Sequence, residues 1–355
     1  MRNAEPDARH RINQSTGRRS GVLLATGAAM AAAALLVRYK TRQAERRHPP
    51  LGQFIEVDGV RLHYVERGQG QPLVILHGNG GMVEDLDNSG LLDLASIKYR
   101  VIAFDRPGFG YSDRPRGKMW TPEAQAELLH HALQYLGIEQ AVVVGHSWGT
   151  LVAIAMALKY PAYMRGLVLL SGYYFPSVRL DVPLFSVPAI PLLGTLMRHT
   201  FSPLLGRLLW PLLVRRVFAP AHVPARFAAF PIWMALRPKQ LRASAAENAM
   251  MIPAAIALRS RYQELHMPVV ILAGDNDHFV STRYQSSRLH ARLLQGGIHL
   301  APGAGHMIHY LAPREIMAAI DEAMQAAKLP DLPAPPMPAG YRPDTAGITE
   351  AVNWP

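Results

Sequence analysis

The chain of 355 residues contains no cysteine. That absence removes disulfide cross-links, thiolate metal sites and cysteine nucleophiles, and it leaves the redox compartment unmarked. Internal repeats are missing too, which argues against a solenoid or array. Acidic residues are scarce in two stretches. Residues 1–48 carry ten Lys/Arg against three Asp/Glu, and residues 173–265 carry eleven against three. The other blocks, 49–172 and 266–355, hold ten against twelve and six against eight. The net charge of +11 therefore sits in a tail and one internal block. No nucleic-acid-binding motif accompanies these charges, so nucleic acid is not an expected partner, whereas an anionic membrane surface suits them.

One long uncharged run stands out, GVLLATGAAMAAAALLV at residues 21–37. As a helix of 1.5 Å rise per residue it spans roughly 26 Å, slightly short of the ~30 Å hydrocarbon core of a bilayer. The expectation is a single N-terminal membrane anchor, which in a bacterium would lie in the inner membrane. A cleaved export signal is an alternative, because RRSGVLL resembles a twin-arginine signal with Gly21 in place of a bulky apolar residue. A disordered or peripheral tail is another. Five Lys/Arg lie within twenty residues on each side of the run, so charge asymmetry assigns no orientation.

Beyond residue 50 the pattern changes. QFIEVDGVRLHYVERG reads as two short strands joined at Asp58-Gly59. Apolar runs of strand length follow at 72–78, 99–105, 140–146, 165–172 and 268–274, several of them separated by helix-length segments such as 121–137 and 148–160. Continuous apolar strands alternating with helices predict an α/β fold with a mostly parallel, doubly wound sheet covered on both faces. Residues 173–265 break the rhythm with Pro-, Leu- and Arg-rich helical patterns. They read as a helical lid inserted between core segments 49–172 and 266–328. Residues 329–355 form a Pro-rich tail outside any core.

Gly145-His146-Ser147-Trp148-Gly149 fits the pattern G-x-S-x-G and follows an apolar strand. A sharp strand-to-helix turn there lifts the serine hydroxyl clear of the sheet, and small residues two positions to either side let the chain pass. A serine hydroxyl is inert at neutral pH without a base beside it. For a turn of this kind the chain order is Ser, acid, His. His306, in APGAGHMIHY, is the preferred base; His309 is its rival on the next helix, and His299 reads as a strand residue. In ILAGDNDHFV, Asp277 is better placed to orient the imidazole than Asp275, which sits in the tight turn after Gly274. The oxyanion hole needs two backbone N–H groups, assigned to Trp148 and to Asn79 in HGNGG. No cofactor or metal is called for.

In family order and at family-like spacing, HGNGG, DRPGFGYSDRP, GHSWGT, GDNDHFV and GAGHMIHY resemble the α/β-hydrolase superfamily, in its lidded serine hydrolase and esterase branch. The resemblance covers about residues 50–328. That branch also holds cofactor-free haloperoxidases, carbon–carbon bond hydrolases, epoxide hydrolases and haloalkane dehalogenases. Asn79 and Trp148 stand where dehalogenases hold halide. Dehalogenases and epoxide hydrolases, however, use an aspartate nucleophile whose ester intermediate water can cleave. Attack by Ser147 on such carbon would leave a stable ether, which rejects both activities.

The resemblance implies hydrolysis of a carboxylic ester through an acyl-enzyme on Ser147. Thioesters, amides, carbon–carbon cleavage and perhydrolysis are alternatives with the same triad; a non-enzymatic binding protein fits the intact triad poorly. The Leu-rich segment 190–218, with Arg198, Arg207, Arg215 and Arg216, suggests a lipophilic acyl substrate and a membrane-facing lid. The ordinary alternative is that these leucines pack on the sheet and the arginines are solvated.

Overall fold

The computed structural model describes residues 7–179 and 181–327, with side chains from Gly21 onward except that of Asp181. The Pro-rich segment 329–355 lies outside the described residues. Asp58 and Gly59 both adopt positive φ (52° and 70°), the tight primed turn that twists in step with its strands. They join β1 (Gln53–Val57) to β2 (Val60–Arg67). The strands that follow are the apolar runs of the sequence: β3 (Pro72–Leu76), β4 (Arg100–Phe104), β5 (Ala141–His146), β6 (Met164–Leu170), β7 (Val269–Gly274) and β8 (Gly297–Ala301).

The described strands form one sheet in the order β1-β2-β4-β3-β5-β6-β7-β8. β1 and β2 are antiparallel, β2 meets β4 antiparallel, and every pairing from β4 to β8 is parallel. Alternate residues feed two cores. Val74, Leu76 and Val143 face one core, while Leu73, Ile75, Val142 and Val144 face the other. Such runs are apolar throughout because both faces are covered, each fully buried branched side chain contributing about 1.5–3 kcal/mol.

Helices α2 (Val83–Asn88), α3 (Leu91–Ser96), α4 (Pro122–Tyr135) and α5 (Trp148–Lys159) cross between strands. α4 begins where Thr121 accepts the Ala124 N–H on its hydroxyl at 3.2 Å, with Pro122 in the first turn. Between β6 and β7 the described residues contain helices and no strand: α6 (Asp181–Ser186), α7 (Leu193–His199), α8 (Ser202–Phe218), α9 (Ile232–Ala235) and α10 (Pro238–Leu258). After β7 come the short α11 (Arg288–His290) and α12 (Ile308–Leu311), then α13 (Pro313–Ala326).

The N-terminal helix α1 (Asp7–Arg47) is one continuous element of 41 residues, and its segment from Gly21 is long and apolar enough to cross a membrane by length and composition. It is more than a tether. Val37 and Ala44 are buried, Ala44 beside Phe230 and Met234, and Glu45 pairs with Arg237 at 3.0 Å. In segment 190–218 the alternative of packed leucines and solvated arginines fails at particular residues. Leu192, Leu193, Leu196, Leu205, Leu208, Leu209 and Leu212 are exposed rather than packed on the sheet. Arg198 is buried, because its guanidinium donates to the Pro188 carbonyl and to Thr195 Oγ1.

Candidate active site

Ser147 closes β5 and caps α5 with φ 51° and ψ −118°, a backbone conformation that an L-residue holds only when its surroundings impose it. The glycines explain what imposes it. A Cβ on Gly145 would lie 2.6 Å from the Gly149 carbonyl oxygen, and one on Gly149 would lie 2.5 Å from the Leu76 carbonyl oxygen. Larger residues at either position would push the strand and helix apart. Here the two small residues allow the turn, and the turn presents Oγ.

His306 sits on the loop between β8 and α12. Its Nε2 lies 3.0 Å from Ser147 Oγ, and its Nδ1 lies 2.8 Å from Asp277 Oδ2. Asp277 Oδ1 accepts the N–H groups of Phe279 and Val280, both at 2.8 Å. With Oδ1 so occupied, Oδ2 remains to accept the Nδ1–H of His306, which assigns Nε2 as the unprotonated nitrogen facing Ser147. Asp277 and His306 are buried, and Ser147 is half-buried. The loop of His306 is itself fixed, since its N–H donates to the Val217 carbonyl of α8 at 3.0 Å and its carbonyl accepts from His146 Nε2 at 3.0 Å.

The rival residues go elsewhere. His309 turns its Nε2 to Asp85 Oδ2 at 3.2 Å, and the neighbouring Tyr310 hydroxyl donates to Asp85 Oδ1 at 3.0 Å. Asp275 accepts the Gly303 N–H at 2.8 Å and stays exposed. His299 lies on β8 and meets Glu322 at 2.7 Å. Burial and the proximity of His309 hold the His146 imidazole well below its ordinary pKa, so it stays neutral behind Ser147.

Trp148 is the first residue of α5, where a backbone N–H has no intrahelical acceptor. Asn79 follows β3 in a loop that two groups of partners hold. From the core side, buried Arg106 donates through Nε to the His77 carbonyl at 2.9 Å and through Nη2 to the Gly78 carbonyl at 3.1 Å. Burial lowers the His77 pKa to about 3, so that ring is neutral and its Nε2 accepts the Arg106 N–H at 3.0 Å. From the helical side, Asn79 Nδ2 donates to Asn248 Oδ1 at 2.8 Å and to the Ser244 carbonyl at 3.2 Å. Gln240 Nε2 donates to the Gly80 carbonyl at 3.3 Å. Glu247 completes the clamp by pairing with Arg106 through both carboxylate oxygens, Nη2 to Oε2 at 3.0 Å, with both side chains fully buried.

Sequence reasoning passed over Gln240, Glu247 and Asn248. Their signal was polar residues at i, i+7 and i+8 of an Ala- and Met-rich helix, one face of α10. The DRPGFG segment is held by buried polar contacts of its own. Asp105 Oδ1 accepts the Val83 N–H at 2.8 Å and Oδ2 meets His63 Nδ1 at 2.6 Å. Burial alone would raise the Asp105 carboxyl, but the hydrogen bond and charge of His63 hold it below its ordinary value. Among the described residues no cluster of three or more His, Asp or Glu is arranged to hold a metal ion.

A family model for the alpha/beta hydrolase fold matches residues 71–313, a span that includes Ser147, Asp277 and His306. The chain belongs to the α/β hydrolases. A 2-hydroxymuconate semialdehyde hydrolase of Pseudomonas sp. is 37% identical over 137 residues, 38% of this chain and 48% of that protein. The match thus spans about half the length of that relative. Haloalkane dehalogenase 2 of Mycobacterium bovis is 27% identical over 274 residues, 74% of this chain and 91% of that protein. Among solved structures, a membrane phospholipase A described as a bacterial virulence factor superposes with a TM-score of 0.59 at 21% identity, covering 87% of this chain and 99% of that one. At that identity the likeness shows the fold alone.

Proposed function

We propose that this α/β hydrolase cleaves a carboxylic ester of a lipophilic substrate through an acyl-enzyme on Ser147. The observation that carries the reading is the unbroken line from Asp277 Oδ2 through the His306 ring to Ser147 Oγ. His306 Nε2 takes the hydroxyl proton as Oγ attacks the carbonyl carbon. The carbonyl oxygen becomes an oxyanion, received by the backbone N–H groups of Trp148 and Asn79. Asp277 keeps the imidazole in its tautomer and stabilises the imidazolium. Collapse breaks the carbon–oxygen bond of the leaving alkoxide, which departs as the alcohol with the proton from His306. Water then repeats the sequence on the acyl-enzyme, releasing the acid and restoring Ser147.

Ser147 speaks against carbon–halogen chemistry despite the dehalogenase among the relatives, because displacement at saturated carbon would leave an ether that this site cannot hydrolyse. Carbon–carbon bond hydrolysis is the second reading, favoured by the 37% identity to the semialdehyde hydrolase. The helix from Gly21 acts, in this proposal, as a membrane anchor, which suits a substrate drawn from lipid. A series of aryl esters of rising acyl length, assayed with and without detergent micelles, tests the reading. Turnover rising from acetate toward medium and long chains supports it. Cleavage of a vinylogous 1,5-diketone acid with no ester turnover favours the second reading, and preference for acetate removes the lipophilic substrate.

A further inference from the structure

Helix α8 is apolar around most of its circumference. One face, with Pro203, Val214 and Phe218, is buried against the body. The opposite face carries Leu205, Leu208, Leu209 and Leu212 at i, i+3, i+4 and i+7, and all four are exposed, Leu208 at 76% and Leu212 at 67%. The stripe continues through the exposed Arg215 and Arg216. Across the preceding turn, Leu192 is 87% exposed, and Phe185 and Leu196 are exposed as well. A soluble surface rarely leaves so much contiguous apolar area to water, and a helix apolar on both faces needs a partner on each. The body covers one face of α8. Among the described residues nothing covers the other.

Helix α1 says what does. It packs against α7 and α9, with Val37 buried where the apolar run ends. Exposed arginines follow at once, Arg38, Arg42 and Arg46 forming one stripe at intervals of four. A bilayer crossed by residues 21–37 would therefore end at the level where α1 meets the helical insertion. There α1 meets α7, which packs in turn on α8. We infer that this face lies in the bilayer interface, its leucines among the acyl chains and Arg215, Arg216 and the α1 arginines on anionic headgroups. The inference rests on the reading of α1 as an anchor. A second copy of the chain would instead seal this stripe from lipid, and the labels described below separate the two occupants. The arrangement also reaches the site, because α8 ends at the residues whose Val217 carbonyl holds the His306 N–H.

The cysteine-free sequence allows a direct test on the full chain. Three single-cysteine variants, Leu208→Cys on the face, Ala29→Cys in the middle of the apolar run and Tyr135→Cys on the exposed end of α4, are labelled with an environment-sensitive fluorophore. They are reconstituted into vesicles of phosphatidylethanolamine and phosphatidylglycerol carrying shallow or deep nitroxide lipids. Retained covalent labelling by a fluorophosphonate shows that each is folded. An apolar face at the headgroup boundary sits about 5–10 Å deep. The label at 208 should therefore shift to the blue and be quenched more by shallow than by deep nitroxide. The label at 29 should show the reverse order, and the label at 135 should stay unquenched. In vesicles of phosphatidylglycerol the variant Leu208→Cys/Arg215→Glu/Arg216→Glu should lose most of the quenching at 208. Quenching at 29 with a water-like label at 208 overturns the inference and leaves the anchor standing. A blue shift at 208 without lipid quenching overturns it in favour of a protein occupant. Quenching at 208 without quenching at 29 keeps the interfacial face and removes the anchor, and quenching at neither removes both.

Discussion

Asn79, in the loop that follows β3, donates from Nδ2 to Oδ1 of Asn248 on α10 at 2.8 Å, a bond between residues 169 positions apart. It ties the loop carrying a proposed oxyanion donor to the helical insertion above the sheet. Removing the acceptor should loosen the Asn79 N–H without deleting it. Asn248→Ala is expected to lower kcat about tenfold with little change in KM, less than the roughly 10²–10³-fold cost of losing a donor outright. Asn248→Asp retains the acceptor oxygen and should restore most of kcat. Steady-state kinetics on one aryl ester decide it. A rise in KM with kcat unchanged would make Asn248 a substrate contact instead.

His306 and His309 stand three residues apart and divide the work. His306→Ala should reduce kcat by about 10⁶, and Ser147→Ala/His306→Ala should be scarcely worse than either single variant, because the triad acts as a unit. His309→Ala should retain ester turnover. It strips a partner from buried Asp85, so its cost should appear in stability, at about 1–3 kcal/mol. Kinetics and urea unfolding of the same samples separate the two effects. An inactive, fully stable His309→Ala would exchange the roles.

The Arg106–Glu247 pair is fully buried and joins the core to α10. Deleting one partner leaves an uncompensated charge, so Glu247→Leu should destabilise the chain by about 3–5 kcal/mol. Arg106→Met/Glu247→Leu removes both charges and should recover a substantial part of that loss. Chemical denaturation midpoints of the three proteins measure it. Equal stability of the single and double variants would show that packing, not charge, dominates there.

Burial raises the Glu84 carboxyl from its ordinary value to about 7, with the nearby Asp105 charge adding to the effect. The folded chain therefore holds a proton on Glu84 between about pH 4.5 and 7 that the unfolded chain has released. Stability from this group is lost as pH rises through that window. Glu84→Gln cannot ionise, so its Tm relative to the native chain should be higher at pH 8 than at pH 5. A Tm difference that does not change with pH would mean that Glu84 titrates as an exposed carboxylate.

Much of the sheet was legible because its signals are local. Apolar runs mark β3 to β7, and Asp58-Gly59 names the hairpin turn in two letters. Gly145 and Gly149 flag the sharp turn at Ser147 for the same reason: only small residues fit that close approach. Long-range relations were not legible. Gln240, Glu247 and Asn248 are ordinary helix residues until the fold brings them against partners 122 to 169 positions away. The leucines of α8 read alike whether buried or exposed, so their outward stripe could not be told from a packed one. Arg198 looks like any surface arginine until the Pro188 carbonyl and Thr195 Oγ1 receive its guanidinium. The continuity of α1 into the body rests on Val37 and Ala44, too small a signal to separate from the apolar run before them.

The proposed chemistry stands on Ser147 as the nucleophile of an acyl transfer. Peptide mass spectrometry after treatment with a fluorophosphonate tests it most directly, run on the native chain and on Ser147→Ala. One adduct is expected, on the peptide containing Ser147, absent from Ser147→Ala together with ester turnover. An adduct on another residue, or Ser147→Ala hydrolysing esters at the native rate, would contradict it.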